Sequence, residues 1–178
     1  MNGFTKNTNL EIERKFNFFN PKMGLTYKAK NIFYYTSVAV ANKEPNRDDF
    51  EASATEQPRR EQLIDWETGF EFKKPKYAIN ANVYYMDYKD QLVLTGKIND
   101  VGAYIRTNVE KSYRAGFEVE TGYMILKNFS VSGNLTFSQN KIAQFIEYVD
   151  NYDNYDSEGN MIQDEIEHTN TSIAFSPD

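Results

Sequence analysis

The residues with chemical potential in this chain are mostly carboxylates. Glu118 and Glu120 stand two apart, as do Asp65 and Glu67, with Glu71 close behind. On a strand, positions i and i+2 face the same way at ~6.6 Å, the separation that an inverting glycosidase uses for its acid and base. A hydrated polar wall also shows such side chains on every strand, and Arg114 lies on the same face within reach of Glu118. The second account is the simpler one. His168 is the only imidazole. It sits four strand positions from Ser172, ~13 Å, too far for a His–Ser pair. The sequence thus predicts no catalytic residue and no enzyme.

A metal reading needs more ligands than the chain offers in most places. With no cysteine and one histidine, thiolate zinc, iron–sulfur and multi-histidine sites are excluded. The stretch Asp150–Asn160 is dense in hard oxygen ligands. Counting from Asn154, the order Asn154, Asp156, Glu158, Gly159 and Glu165 in twelfth place follows a calcium loop. Such a loop opens on Asp and is flanked by helices, and neither holds here. The expectation is a solvated acidic loop, with a weak surface calcium site as the alternative and no other cofactor. Lys43, Arg47, Asp48, Asp49, Arg59 and Arg60 make residues 42–61 strongly charged, which solvation alone explains. Asn128, Asn134 and Asn170 match the glycosylation acceptor pattern, but Asn134 falls in mid-strand. With Lys+Arg 20 against Asp+Glu 26, the net charge is −6. That argues against nucleic acid as a partner, since phosphate binding relies on cations.

The elements that must carry these residues have a period of two. Trp66, Thr68, Phe70 and Phe72 alternate with Asp65, Glu67, Gly69 and Glu71. Ile79, Ala81, Val83 and Tyr85 repeat the pattern. So do Phe117, Val119, Thr121 and Tyr123, and then Phe129, Val131, Gly133, Leu135 and Phe137. Strict alternation means strands with one dry and one wet face. No segment shows a helical stripe, so the predicted class is all-β. The predicted strands are 22–29, 32–41, 62–73, 77–88, 111–126, 129–141 and 166–176. Trp66, Phe70, Phe72, Val83, Tyr85, Phe117, Val119, Val131 and Leu135 are predicted to share one face.

The connections alternate too. Lys30-Asn31, Lys74-Pro75-Lys76 and Lys127-Asn128 are short, whereas 42–61, 89–110 and 142–165 are long. In an antiparallel meander this puts every short turn at one end and every long loop at the other, the habit of transmembrane β-barrels. Within the middle loop, Gln91–Thr95 and Ala103–Val109 are β-prone and predict a hairpin with its turn near Asn99–Gly102. Aromatic residues make up 15% of the chain while the mean hydropathy is −0.70. Such a mixture suits interfacial girdles better than a compact soluble core. No apolar run nears the ~20 residues of a membrane helix. The opening Met-Asn-Gly-Phe-Thr-Lys has no apolar leader, so the chain reads as cytosolic or as beginning inside a longer one.

Four segments carry a family resemblance. The longest is Asn-Val-Tyr-Tyr-Met-Asp-Tyr-Lys-Asp-Gln-Leu-Val-Leu-Thr-Gly-Lys-Ile-Asn-Asp-Val-Gly from Asn82, followed by Arg-Thr-Asn-Val-Glu-Lys-Ser-Tyr-Arg-Ala-Gly from Arg106. It resembles the barrel of TonB-dependent outer-membrane receptors. Phe19–Tyr27 looks like the start of a barrel strand, Asn42–Phe50 like the following extracellular loop, and Glu61–Gly69 like the return into the next strand. The order matches the family over most of residues 17–176. The family has a plug domain, a TonB box ahead of it and roughly 22 strands. This chain shows neither plug nor box, has about seven strands and ends Phe175-Ser176-Pro177-Asp178 rather than on a terminal aromatic.

The resemblance therefore implies an internal slice of a barrel over residues 1–178, from a receptor of the bacterial outer membrane. Its expected partners are the rest of its own barrel and plug, outer-membrane lipid, and TonB through a region ahead of the plug. Such receptors carry out energised uptake of a siderophore, a cobalamin or a glycan. The charged loop residues Arg47, Asp48, Asp49, Arg59 and Arg60 would then be ligand contacts. The competing expectation is a soluble β-sheet binding module, an adhesin or carbohydrate-binding domain. The two differ in what covers the apolar faces, lipid or a second sheet.

Overall fold

A computed structural model describes residues 13–52, 57–98, 104–157, 159 and 161–173. Seven strands follow one another: β1 Lys22–Ala29, β2 Ile32–Lys43, β3 Glu61–Lys74, β4 Tyr77–Ile98, β5 Tyr104–Leu126, β6 Phe129–Tyr155 and β7 Met161–Ser172. They form a single antiparallel sheet in the order of the chain, with no crossover. This is the predicted up-and-down meander. Its short turns, at 30–31, 75–76 and 127–128, share one end. Neighbouring turns are tied there by Lys73 N to Asn31 O at 2.9 Å and Met124 N to Lys76 O at 2.7 Å.

The register sorts side chains as the alternation predicts. One row across the sheet reads Leu25, Thr36, Thr68, Val83, Phe117 and Phe137. The next reads Tyr27, Tyr34, Phe70, Ala81, Val119 and Leu135. A one-residue slip would invert each strand's set, and none occurs in these rows; the register shifts only nearer the connections, at Met124–Leu126, Leu94–Ile98 and Asn151–Tyr155. Val83 lies opposite Phe117 and Asn82 opposite Glu118. All nine residues expected on one face are there.

That face is bare. Leu25 is 70% exposed, Trp66 59% and Phe137 62%. Exposed apolar side chains follow one another on it from β1 to β6, a continuous patch of the kind that soluble monomers rarely carry. On β3 it runs from Ile64 to Phe72, about the nine to eleven residues that a tilted strand needs to cross a bilayer. Aromatic side chains edge it at both levels. Tyr85 and Tyr113 stack at 5.9 Å toward the long-loop end, and Phe72 and Tyr77 lie 5.4 Å apart beside Lys74 at the short-turn end.

Three features bear on the sequence reading, two of them departures from it. First, residues 142–165 are not a loop. Strand β6 continues to Tyr155 and pairs with β7 from Met161, ending at Ser172 rather than beginning at 166. Residues 174–176 lie outside the described set. Within β6, Ile142 and Ile146 fall on one face and Phe145 and Val149 on the other, with Ile142 buried against Val109 of β5, so the one-face alternation is lost. Second, and as expected, β4 and β5 extend the flanking strands as a hairpin, to Ile98 and from Tyr104; its turn lies outside the described residues. Third, a short helix, α1 Arg47–Ala52, stands in the loop between β2 and β3. At six residues it is too brief to show a stripe. Its cap was readable: Asn46 Oδ1 accepts from Asp49 N at 2.9 Å, and Asp49 Oδ2 accepts from Asn46 N at 2.8 Å, a reciprocal capping box.

Candidate functional site: the inner wall and the outer loops

The face opposite the apolar one is polar. Its rows read Phe33, Glu71, Asn80, Glu120, Asn134 and then Tyr35, Gly69, Asn82, Glu118, Thr136. Between the rows of Asp65 and Lys73, strands β3 to β5 place Asp65, Glu67, Glu71, Glu118 and Glu120 here against Arg114 and Lys73. Asn80, Asn82, Glu118, Glu120, Asn134 and Thr136 line an open depression of ≈ 400 Å3. The predicted carboxylate set does gather on one face. Arg114 does not turn to Glu118; its guanidinium lies over the Tyr88 ring at 5.8 Å.

Two tyrosines shape this wall, and two glycines permit them. A Cβ on Gly69 would fall 2.2 Å from the Tyr35 ring, and one on Gly116 would fall 2.3 Å from the Tyr84 ring. Each ring therefore lies across a glycine of the next strand, an aromatic rescue of the gap. The Tyr35 hydroxyl reaches a further strand and donates to Asn82 Oδ1 at 3.0 Å. The sequence signal was present, since Gly69 and Gly116 both interrupt strands, but their partners depend on register.

The long-loop end is interlocked. Asp49, 7% exposed, caps α1 and faces Arg106 Nη1 at 3.6 Å. Arg59 is held twice. Its guanidinium donates to Asp90 Oδ1 at 2.6 Å, and its backbone exchanges bonds with the Asn108 carboxamide at 2.7 and 3.0 Å. Arg60 lies over the Phe18 ring at 6.0 Å. Lys43 pairs with Glu61 at 2.9 Å. Arg47 is exposed on α1, and the side chain of Asp48 is outside the described set. Of the five residues expected to contact ligand, Asp49, Arg59 and Arg60 thus brace the loop, while Arg47, Arg59 and Arg60 all remain exposed.

The calcium-like residues that are described are not brought together. Asn154 is near the tip of β6 and Asp156 follows it. Glu165 lies opposite Tyr148, six residues further down, roughly 20 Å along the strand. Glu158 is outside the described residues. Among the described residues no group of three His, Cys, Asp or Glu is placed to hold a metal. His168 Nε2 meets Glu147 Oε2 at 2.8 Å, while the Ser172 hydroxyl accepts from Lys141 Nζ at 2.9 Å. The two therefore serve separate contacts.

One apolar face, one polar face, short turns at one end and braced loops at the other define the wall of a transmembrane β-barrel. The family description "TonB dependent receptor-like, beta-barrel" matches residues 2–175, and the chain belongs to that family, one of transporters and receptors of the bacterial outer membrane. Among solved structures, the FrpB iron transporter from Neisseria meningitidis (F3-3 variant) is similar at 17% identity and a TM-score of 0.57, covering 69% of this chain and 20% of that one. The copper transporter OprC is similar at 15% identity and a TM-score of 0.60, covering 68% and 20%. The chain thus spans about a fifth of each neighbour's length. No curated protein matches it.

Proposed function

We propose that this chain is a wall segment of an outer-membrane receptor that takes up a large or scarce nutrient, a siderophore, a cobalamin or a glycan, by TonB-energised transport. The observation that carries the reading is a sheet with one exposed apolar face and an opposite acidic, amide-rich face, which in this account look onto lipid and lumen. In this account residues 1–178 supply wall and outer loops, and the remaining barrel, the plug and TonB complete the machine. Ligand is met at the outer loops, with Arg47, Asp48, Asp49, Arg59 and Arg60 the first candidates. The names of the two neighbours, an iron and a copper transporter, support a metal-bearing cargo within this range.

The test is uptake by cells with and without the gene, supplied with labelled siderophores, cobalamin or oligosaccharides, before and after collapse of the proton gradient. The reading predicts that one ligand class is lost with the gene and also lost with the gradient. Uptake unchanged for every class contradicts it.

A further inference from the structure

Above the membrane the sheet divides and closes again. The β5–β6 ladder stops at Ser112 opposite Ile142. Beyond that level the β4–β5 and β6–β7 hairpins are separate ladders. Each has a bend near this level at a non-glycine residue in the left-handed region, Asp90 with φ 55° and Asn170 with φ 51°. Asp and Asn are the side chains that adopt this conformation most readily. Asp90 falls between the pairs Lys89–Lys111 and Gln91–Val109. Asn170 falls between Ile142–Thr171 and Gln144–Thr169.

The hairpins then meet at a crossing that only glycine permits. A Cβ on Gly96, whose φ is +82°, would lie 2.3 Å from Tyr148 O. The Gln163 carboxamide bridges the two. Its Nε2 donates to Gly96 O at 2.9 Å and Asp150 Oδ1 at 2.8 Å, and its Oε1 accepts from Ile98 N at 3.2 Å. The Lys97 ammonium lies 5.1 Å from the Tyr148 ring centre. Below the crossing Val109, Ile142 and Ile173 are buried and packed against Val93 and Phe145.

We propose that the two outer hairpins form a single latched strap, with the Gln163 carboxamide at the Gly96 crossing as its latch and Asp90 and Asn170 as the bends about which the hairpins part. While the latch is closed, neither hairpin moves without the other. This follows from the geometry of the described residues and does not depend on which nutrient is carried.

Hydrogen exchange on the full chain in detergent micelles tests it, using Gln163→Ala on one hairpin and Gly96→Val on the other. Either substitution is expected to speed exchange roughly tenfold or more at the crossing, in 92–98 and in 146–150 together, because local opening there loses the same bonds. Amides 66–72 of β3 are expected to be unchanged, which also reports that the sheet is intact. Faster exchange only in the hairpin that carries the substitution overturns the proposal, as does no change in either. Should a variant fail to fold, the unmodified chain decides: both sets of amides must lose protection at one urea concentration, and separate losses overturn it.

Discussion

At the residue scale, Tyr35 and Gly69 form the most informative pair, because neither is explicable alone. Gly69→Ala forces the ring aside and breaks its bond to Asn82. We expect a loss of about 1–3 kcal/mol, read from the urea midpoint of the chain in micelles. Adding Tyr35→Ala should relieve the clash, so the double variant should lose clearly less than the sum of the two single ones. Gly133→Ala, where a Cβ would meet nothing within 4 Å, should change little. Asp49 offers a second check. Asp49→Ala removes both the cap and the partner of Arg106, which should cost about 1–2 kcal/mol locally and appear as faster proteolysis at α1. If Arg47 contacts an anionic ligand, its loss should weaken binding roughly tenfold or more, the value of a charge-assisted hydrogen bond.

At the element scale, the outer and inner faces of one strand should respond oppositely to the same kind of change. Phe117 and Glu118 are neighbours on β5. Phe117→Arg puts a cation against lipid and should cost about 2–4 kcal/mol near the bilayer centre. Glu118→Gln, on the polar face, should scarcely alter the midpoint. Equal responses would mean that the faces are misassigned. These strands were legible because each has one dry face and one wet face, a contrast that writes itself into Trp66 to Phe72 and Phe117 to Tyr123. The same reasoning failed at 142–165, where β6 carries apolar residues on both faces, Ile142 and Ile146 on one and Phe145 and Val149 on the other. It failed at α1, where the signal was a cap rather than a stripe. At the candidate site, the gathering of Asp65, Glu67, Glu71, Glu118 and Glu120 on one face followed from parity alone. The bracing of Arg59 by Asp90 and Asn108 did not, because those contacts join positions 31 and 49 residues apart.

At the scale of the whole molecule, the sheet has an exposed edge at β1 and a lipid-sized apolar face. Unpaired edge groups invite further strand pairing, and in lipid each costs several kcal/mol. In plain buffer the isolated chain is therefore expected to run as associated material on size-exclusion chromatography and to need detergent or neighbouring strands for dispersal. A sharp monomeric peak with cooperative unfolding would instead favour a soluble module whose apolar face is covered by the chain itself.

In the barrel-wall account the face carrying Trp66 looks onto lipid, and the chain supplies its own probe, since Trp66 is its one tryptophan. It is 59% exposed on the outer face, just below the level where Asp87 and Tyr113 mark the polar border, a position typical of an interfacial aromatic. The decisive measurement is Trp66 fluorescence of the chain folded in lipid, quenched either by brominated acyl chains or by aqueous iodide. The barrel-wall account predicts blue-shifted emission, strong quenching by the brominated lipid and weak quenching by iodide. Emission typical of water, open to iodide and indifferent to brominated lipid, would contradict it.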